Sequence, residues 1–271
     1  MIIRNFAVPL VVSACMLSGC HAQSALTRTA PEPYSPSVGQ GGKDVVWVPT
    51  PQALVDRMLD MAGLTKDDYV IDLGSGDGRT VITAARRGAR AKGLEYNPEM
   101  VELSRRNAEA AGVKASFEQA DIFQSDFSEA SLVTLFLLPN LNLKLRPILL
   151  DMKPGTRVVS NTFNMDDWEP DASIEAGGDC VSYCRAYKWI IPAKVEGDWR
   201  LGDQTLRLAQ KYQKLSGTLM QGTTTLPITD ARMDGAGIYF VAGEQRYTGR
   251  VSERTMTGTI EGGGTWQASR S

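Results

Sequence analysis

Hydrophobic residues return every three or four positions in the stretch that begins at Pro51 and ends at Ala62. This spacing places them on one face of a helix, and a proline at the start with Gly63 after the end is typical of helix boundaries. The pattern therefore predicts an amphipathic helix over residues 51–62. Its predicted buried face consists of Leu54, Val55, Met58, Leu59 and Ala62.

Between residues 69 and 163, short hydrophobic runs alternate with segments of helical spacing. Such an alternation predicts parallel βαβ units whose helices cover both faces of one sheet. We therefore expect an α/β fold with a doubly wound, mostly parallel sheet that binds its ligand at the carboxyl ends of the strands. The predicted strands are residues 69–73, 91–96, 115–119, 132–138 and 157–163, and the predicted helices are residues 80–87, 98–111 and 141–152.

The pattern changes near residue 194, where helical spacing gives way to short alternating segments separated by glycine-rich turns. This change predicts a small antiparallel β domain, a meander or a partial barrel, over residues 194–271. The sheet domain is then expected over residues 44–193. Predicted strands of the second domain include residues 204–208, 237–242, 245–251 and 255–260.

The first residues have the composition of an export signal. Arg4 precedes an apolar segment, residues 6–17, which is too short to span a bilayer of about 30 Å. We therefore expect a signal peptide over residues 1–19. Residues 20–43 are rich in Ser, Thr, Pro and Gly and are expected to form a flexible tether.

Residues Leu17-Ser18-Gly19-Cys20 resemble a bacterial lipobox, in which the cysteine carries the lipid. The resemblance implies lipid attachment at Cys20 and a protein anchored in the bacterial cell envelope, on the outer membrane or the periplasmic face. Ordinary secretory cleavage after Ala22, which would release the protein into the periplasm, is the alternative.

Two of the four cysteines, Cys180 and Cys184, lie beyond the predicted signal and tether. Their spacing allows a disulfide if a turn brings the two side chains together, whereas in a straight strand they would lie too far apart. Two free, partly buried thiols are the alternative.

The composition narrows the chemistry. The single histidine is His21, so Ser-His-Asp catalysis and a His-rich zinc site are not expected, and we expect no bound metal. A formal net charge of −2 provides no broad electrostatic attraction for nucleic acid, so no nucleic-acid partner is expected.

The most informative stretch is V-I-D-L-G-S-G-D-G, residues 70–78, where a strand ends in an acid and three glycines. Glycines at such a turn let the backbone approach a ligand and direct amide N–H groups at it. The dinucleotide fingerprint G-x-G-x-x-G requires a glycine where Arg79 stands, so a dinucleotide oxidoreductase is disfavoured. Asp72, just before the turn, suits a ligand with a cationic group.

This stretch resembles motif I of the class I S-adenosylmethionine-dependent methyltransferases, whose cofactor carries positive charge and no phosphate. The resemblance implies a Rossmann-like seven-stranded sheet with S-adenosylmethionine as cofactor. It also implies that the Glu95 carboxylate accepts hydrogen bonds from the ribose hydroxyls and that Asp121 contacts the adenine amino group. Tyr96 and Ile122, the residues that follow these two acids, are implied to flank the adenine. The implied cofactor-binding residues are Asp72, Gly74, Ser75, Gly76, Gly78, Glu95, Tyr96, Asp121 and Ile122.

Two further segments, residues 48–51 (V-P-T-P) and 134–140 (T-L-F-L-L-P-N), look most like bacterial relatives of the seven-strand lysine methyltransferases. This resemblance implies an acceptor pocket at Leu138, Pro139 and Asn140, and an acceptor such as a protein lysine or another amine. Methyl transfer from a sulfonium requires alignment in a dry pocket rather than a histidine. The sequence identifies no general base.

An export signal conflicts with this chemistry, because S-adenosylmethionine is made in the cytoplasm. Three resolutions are open: the enzyme acts outside the cytoplasm on a cofactor supplied by another route, the first residues are not an export signal, or the fold has lost catalysis and kept binding. The third gives the alternative function, a lipid-anchored envelope protein whose non-catalytic methyltransferase fold binds or scaffolds a partner.

Overall fold

The computed structural model describes residues 1–2, 7, 34–178 and 180–270. One compact unit extends from Tyr34 to the end of the chain. The predicted lipid-attachment residue Cys20 lies outside the described residues, as do most of the predicted signal peptide and the tether as far as residue 33.

The first part of the compact unit is an α/β domain with seven strands. They are β1 (Tyr69–Leu73), β2 (Arg90–Glu95), β3 (Ser116–Gln119), β4 (Leu132–Leu135), β5 (Arg157–Asn161), β6 (Ala172–Glu175) and β7 (Arg185–Ile190). Their order in the sheet is β3-β2-β1-β4-β5-β7-β6. The first five strands in that order are parallel, whereas β7 is antiparallel to β5 and β6 is antiparallel to β7.

Within residues 34–178 and 180–270, four helices accompany this sheet: α1 (Gln52–Ala62), α2 (Arg79–Arg86), α3 (Pro98–Ala110) and α4 (Pro139–Leu150). Side chains of α1, α2 and α3 pack with one hydrophobic cluster, and those of α4 pack with another. Along β1, Val70 belongs to the first cluster, and Ile71 and Leu73 belong to the second. Both faces of the sheet are therefore covered, which confirms the predicted doubly wound α/β fold.

Helix α1 forms as its spacing predicts. Gly63, at φ 65°, ends the helix in the left-handed conformation that glycine adopts readily. None of the helices in residues 34–178 and 180–270 is long and apolar enough to cross a membrane. The predicted apolar face of α1 is buried in full: Leu54, Val55, Met58, Leu59 and Ala62.

The boundary between β4 and α4 differs from the prediction. Strand β4 ends at Leu135 instead of residue 138, and α4 begins at Pro139 instead of residue 141. The reason is that Pro139 occupies the first turn of the helix, where its missing N–H is no loss and its fixed φ favours helical geometry. Leu138, Pro139 and Asn140 therefore form a helix start and not a loop.

The second domain is a closed antiparallel barrel, so the predicted antiparallel β domain is confirmed. Its strands are β8 (Gly197–Leu201), β9 (Gln204–Lys211), β10 (Lys214–Gln221), β11 (Thr224–Asp234), β12 (Gly237–Ala242), β13 (Gln245–Ser252), β14 (Thr255–Ile260) and β15 (Thr265–Arg270). Strand β8 pairs with both β15 and β9, which closes the ring. Trp199, Phe240 and Trp266 fill the barrel core.

The barrel packs against the α/β domain through the turn between β9 and β10. The ring of Tyr212 stacks on Trp168 at 5.7 Å between centroids, and its hydroxyl donates a hydrogen bond to Asp167. The indole N–H of Trp168 donates to the side chain of Gln213 at 3.0 Å. Lys214 forms an ion pair with Glu169 at 2.6 Å. The connection between β5 and β6 is therefore held by the second domain.

The folded unit begins at Tyr34, earlier than the boundary expected at residue 44. The amide of Gly39 donates to the carbonyl of Trp47 and the amide of Trp47 donates to the carbonyl of Gln40, both at 2.8 Å. These backbone pairs fold residues 34–47, here called the N-terminal segment, into a turn against the α/β domain. Polar composition alone did not reveal this turn, because its hydrogen bonds depend on residues several positions apart.

Candidate functional site

A pocket lies at the carboxyl edge of the parallel strands. It is bordered by the N-terminal segment, by the residues that follow β1, β2, β3 and β4, by Phe163 after β5, and by Tyr183 before β7. This is the edge at which a doubly wound sheet is expected to bind its ligand.

Residues 74–78, here called the glycine turn, lead from β1 into α2. Gly74, Gly76 and Gly78 have φ values of 78°, 53° and 82°, a region that side chains with a Cβ rarely occupy. A Cβ on Gly76 would lie 2.8 Å from the Trp47 indole nitrogen, and one on Gly78 would lie 2.8 Å from the Phe117 ring. The glycines are therefore required both by the backbone conformation and by close contact with neighbouring rings.

The sequence predicts that the amide N–H groups of the glycine turn point at a ligand, but in the structure they donate hydrogen bonds within the protein. Gly74 and Ser75 both donate to the carbonyl of Leu94, at 2.8 and 3.1 Å. Gly76 donates to Glu95 and Gly78 donates to the Ser75 carbonyl, each at 2.9 Å. These amides hold the turn in shape instead, because buried backbone donors are paired inside the protein wherever a partner is near. Gly78 itself caps α2 and is not part of the pocket lining.

Asp72 is buried at the end of β1 and lines the pocket. Burial raises the pKa of its carboxyl to about 7, and the neighbouring carboxylates of Glu95 and Asp77 contribute to the rise. The Thr134 hydroxyl donates a hydrogen bond of 2.6 Å to Asp72, which opposes the rise in pKa. A cationic ligand group would favour the charged form of this carboxyl.

Glu95 lies at the end of β2, and each of its two carboxylate oxygens accepts a backbone amide. The donors are Gly76 and Asn97, both at 2.9 Å. The carboxylate is therefore fixed in orientation, while each oxygen keeps a lone pair that can accept a further hydrogen bond.

Asp121 follows β3 and faces Lys43 of the N-terminal segment. The Lys43 ammonium lies 2.8 Å from the Asp121 carboxylate and 4.5 Å from the centre of the Tyr96 ring. The hydrogen bond from Lys43 keeps the pKa of Asp121 below its ordinary value. Tyr96 is half exposed, and Ile122 also lines the pocket. The structure thus brings together all the acids that the sequence placed at strand ends.

Asp77 and Thr50 link the elements around the turn. The Asp77 carboxylate pairs with the Arg79 guanidinium at 2.6 Å, and Arg79 donates to the Thr50 carbonyl at 2.8 Å. The Thr50 hydroxyl accepts a hydrogen bond from Asn161 at the end of β5. The V-P-T-P segment is therefore tied to both α2 and β5.

The opposite half of the pocket is aromatic. Phe136 lies 6.1 Å from Phe163 and 5.2 Å from Tyr183, measured between ring centres. Leu138 lines the pocket beside them and is 40% exposed. Pro139 and Asn140, grouped with Leu138 by the sequence, are exposed on the first turn of α4 and are not part of the lining.

A disulfide joins Cys180 to Cys184 and closes the loop that carries Tyr183. The bonded pair is the first of the two arrangements that the spacing allowed. No group of three His, Cys, Asp or Glu side chains suited to a metal ion occurs among the described residues.

Sequence patterns did not identify several pocket residues. Lys43 and Trp47 lie in a segment without helical or strand periodicity, and Phe136, Phe163 and Tyr183 have the appearance of ordinary core residues. A bulky aromatic residue directly after a predicted strand is the one signal that could have identified Phe136.

The pocket residues fit a nucleoside that carries positive charge and no phosphate. The carboxyl groups of Asp72, Glu95 and Asp121 all border the pocket. Ser75 adds a buried hydroxyl that has no hydrogen-bond partner among the described residues. Gly74 and Gly76 also line the pocket.

Comparison with known proteins gives a consistent result. A family model described as the ANTKMT methyltransferase domain matches residues 72–172. A protein-lysine N-methyltransferase of Saccharolobus islandicus (strain REY15A) is 46% identical over 152 residues, which cover 54% of this chain and 94% of that protein. The adenine nucleotide translocase lysine N-methyltransferase of Mus musculus is 38% identical over 116 residues, which cover 41% of this chain and 51% of that protein.

A solved structure agrees with these matches. It is an RNA methyltransferase from Salinibacter ruber in complex with S-adenosyl-L-homocysteine, 48% identical, with a TM-score of 0.51. The alignment covers 55% of this chain and 96% of that one. The match to the family model ends at residue 172, before the barrel begins.

Proposed function

This chain belongs to the ANTKMT-type methyltransferase family and uses S-adenosylmethionine, and we propose that it methylates a lysine side chain of a protein. The observation that carries the proposal is the convergence of Asp72, Glu95 and Asp121 on one pocket that continues into an aromatic half. The methyltransferase relatives favour a working enzyme over the non-catalytic scaffold.

We infer the following roles for the acidic half of the pocket. S-adenosylmethionine supplies a methyl group on a positively charged sulfur. Asp72 faces the positive charge, which is consistent with its pKa of about 7 and the ease with which a nearby cation would ionise it. Glu95, oriented by two backbone amides, accepts hydrogen bonds from the ribose hydroxyls. Asp121 accepts a hydrogen bond from the adenine amino group, and Tyr96 and Ile122 lie on either side of the base.

The proposed acceptor is an amine that must lose its proton before it reacts. Desolvation lowers the pKa of a lysine ammonium, and the aromatic half of the pocket provides an apolar surface for it. Two relatives are named as lysine methyltransferases, which supports a protein acceptor. The structure from Salinibacter ruber is named as an RNA methyltransferase, so the experiment on the acceptor must distinguish RNA from protein.

The cofactor roles can be tested by calorimetric titration with S-adenosylhomocysteine. Glu95→Ala removes the carboxylate that accepts hydrogen bonds from two backbone amides, and with it the proposed ribose contact. We expect at least a roughly tenfold loss of affinity for S-adenosylhomocysteine. Glu118→Ala, on the neighbouring strand β3 and paired with Lys92, removes the same charge outside the pocket and is the control. Equal affinity in both variants would refute the assignment of Glu95.

The acceptor class can be tested with S-adenosylmethionine labelled with tritium in the methyl group. The full chain is incubated separately with total bacterial protein and total bacterial RNA, and the products are hydrolysed and separated. We expect label in Nε-methyl-lysine, and less of it with Glu95→Ala when S-adenosylmethionine is below its wild-type dissociation constant. Label confined to methylated nucleosides would replace the protein acceptor with RNA.

For location, we propose that the chain is anchored in the bacterial cell envelope by lipid on Cys20. The L-S-G-C sequence after an apolar segment supports this, and the Cys180–Cys184 disulfide suits an oxidising compartment. Mass spectrometry of the mature amino terminus should find acyl chains on Cys20. An unmodified terminus at Gln23 would indicate secretion, and an intact Met1 would indicate that no export signal is used.

A further inference from the structure

Three aromatic rings, Phe136, Phe163 and Tyr183, form one side of the pocket, here called the aromatic wall. Phe136 directly follows β4, Phe163 lies just beyond β5, and Tyr183 precedes β7. These strands are neighbours in the sheet, in the order β4-β5-β7. The aromatic wall is therefore assembled on a different set of strands from the acids, which lie at the ends of β1, β2 and β3.

The direction of β7 explains how Tyr183 reaches the pocket. Because β7 is antiparallel to β5, its first residues lie beside the carboxyl end of β5, with Ala186 opposite Asn161. The amide of Thr162 donates to the carbonyl of Arg185 at 2.7 Å and joins the two connections. The residues just before β7 must then lie at the same edge as the cofactor residues.

Tyr183 is placed in a way that packing alone does not require. Its φ is 55°, in the left-handed region that residues other than glycine, asparagine and aspartate rarely adopt. Although its ring contacts Phe136, the residue is 41% exposed. The Cys180–Cys184 disulfide closes residues 180–184, here called the disulfide loop, around it. An exposed aromatic ring held in an uncommon conformation at a pocket indicates a binding role.

Resting on the methyltransferase function proposed above, we propose that Tyr183 determines specificity for the methyl acceptor, and that the Cys180–Cys184 disulfide holds its ring in the aromatic wall. The wall receives the alkyl-amine end of the acceptor. The faces of aromatic rings attract an alkylammonium group as it binds. Burial against their apolar surface acts in the opposite direction on the pKa of the amine and favours loss of its proton. Tyr183 thereby contacts the acceptor and leaves the cofactor contacts to the acids.

The test uses a pair of probes, so that it does not depend on the identity of the natural acceptor. One probe is S-adenosylhomocysteine. The other is its analogue in which nitrogen replaces the sulfur and carries an aminopropyl arm, which extends toward the acceptor. The charged nitrogen beside Asp72 contributes to this ratio equally in every form of the full chain. The change in the ratio of the two dissociation constants between wild type and a variant therefore measures how well the altered residue holds the amine of the arm. Titration calorimetry supplies both constants.

We expect the wild-type protein to bind the aminopropyl analogue more tightly than S-adenosylhomocysteine. Tyr183→Ala should reduce that preference roughly five- to thirty-fold, while the affinity for S-adenosylhomocysteine stays the same. Tyr183→Phe should retain the preference, because the ring makes the contact. The double variant Cys180→Ser with Cys184→Ser should behave like Tyr183→Ala, since it releases the disulfide loop.

Val181→Ala is the matched control. Val181 lies in the same disulfide loop, is 95% exposed and is not part of the pocket lining. It should leave both dissociation constants unchanged. A loss of preference in Val181→Ala equal to that in Tyr183→Ala would mean that any change in the loop suffices, and would overturn the assignment to Tyr183.

Failure of the inference and failure of the proposed function give different results. If wild-type protein does not bind S-adenosylhomocysteine, the cofactor roles of the acids are wrong. If it binds S-adenosylhomocysteine but has no preference for the arm, or if Tyr183→Ala keeps the full preference, the role of Tyr183 is wrong and the cofactor roles stand. A normal preference in the double cysteine variant would overturn the role of the disulfide alone.

Discussion

Asp72 carries the clearest pH dependence among the residues of the pocket. Its pKa is about 7 in the folded chain, against 3.8 for an ordinary aspartate, chiefly because of burial. Between these two values the unfolded chain has lost the proton while the folded chain still holds it. The contribution of Asp72 to stability is therefore fully present below about pH 4 and is lost as pH rises through 7.

Asp72→Asn should remove this loss of stability with rising pH. The asparagine does not ionise, so the variant should gain stability relative to wild type as pH rises from 5 to 8, by at most about 3 kcal/mol. Urea unfolding of both proteins at several pH values measures the difference and cancels the other titrating groups. A difference that does not change with pH would contradict the raised pKa.

Gly76 should tolerate alanine poorly. The positive φ costs a residue with a Cβ about 1–2 kcal/mol, and the added carbon would also displace Trp47, only 2.8 Å away. Gly76→Ala should therefore lose about 2 kcal/mol or more of unfolding free energy, together with affinity for S-adenosylhomocysteine.

Gly112→Ala is the control for this change, because Gly112 has a similar φ of 66° and open space around it. Gly112→Ala should lose only the part of the unfolding free energy that comes from the positive φ, and should keep its affinity for S-adenosylhomocysteine. If both variants bound S-adenosylhomocysteine as wild type does, close packing of the glycine turn would have no bearing on the cofactor.

At the scale of elements, the N-terminal segment controls access to Asp121. Lys43 occupies the space between Asp121 and Tyr96 in which the adenine is expected. Cofactor binding then requires Lys43 to leave Asp121. Because ion pairs at the surface contribute little, we expect Lys43→Met to tighten S-adenosylhomocysteine binding by about threefold.

Lys114→Met makes the same charge change at an exposed lysine outside the pocket, and should leave the dissociation constant unaltered. Calorimetric titration of the two variants under identical salt conditions compares them. Weaker binding in Lys43→Met would mean that Lys43 contacts the cofactor instead of competing with it.

The elements also explain how much of this site the sequence could predict. Asp72, Glu95 and Asp121 could be predicted because residues 70–78 resemble motif I of the class I methyltransferases, a resemblance that implies acids at the ends of the next strands. Those strands are readable in the sequence, and parallel strands bring their carboxyl ends to one edge. Tyr183 and Phe163 were not predicted, because their meeting depends on β7 lying antiparallel beside β5. Local periodicity contains no information on sheet order. Closure of the barrel was missed for the same reason, since β8 pairs with the distant β15.

At the scale of the whole molecule, the barrel holds the connection that leads away from Phe163. Trp168 is fully buried between Trp189 and Tyr212, and its indole N–H is bonded to Gln213 on the β9–β10 turn. Separation of the two domains would expose Trp168 and leave that N–H unpaired. We therefore expect the two domains to unfold together in one cooperative transition.

Tyr212→Ala should break this cooperativity. It removes the ring stacked on Trp168 and the hydrogen bond to Asp167, with an expected loss of about 1–3 kcal/mol at the domain contact. Scanning calorimetry should then resolve two transitions, and the earlier one should coincide with a change in tryptophan fluorescence. Leu226→Ala, a barrel side chain that is 37% exposed and packs near Gly243, should keep a single transition. If Tyr212→Ala also unfolds in a single transition, the domains are coupled through other contacts, such as the hydrogen bond from Ala193 to Gly235.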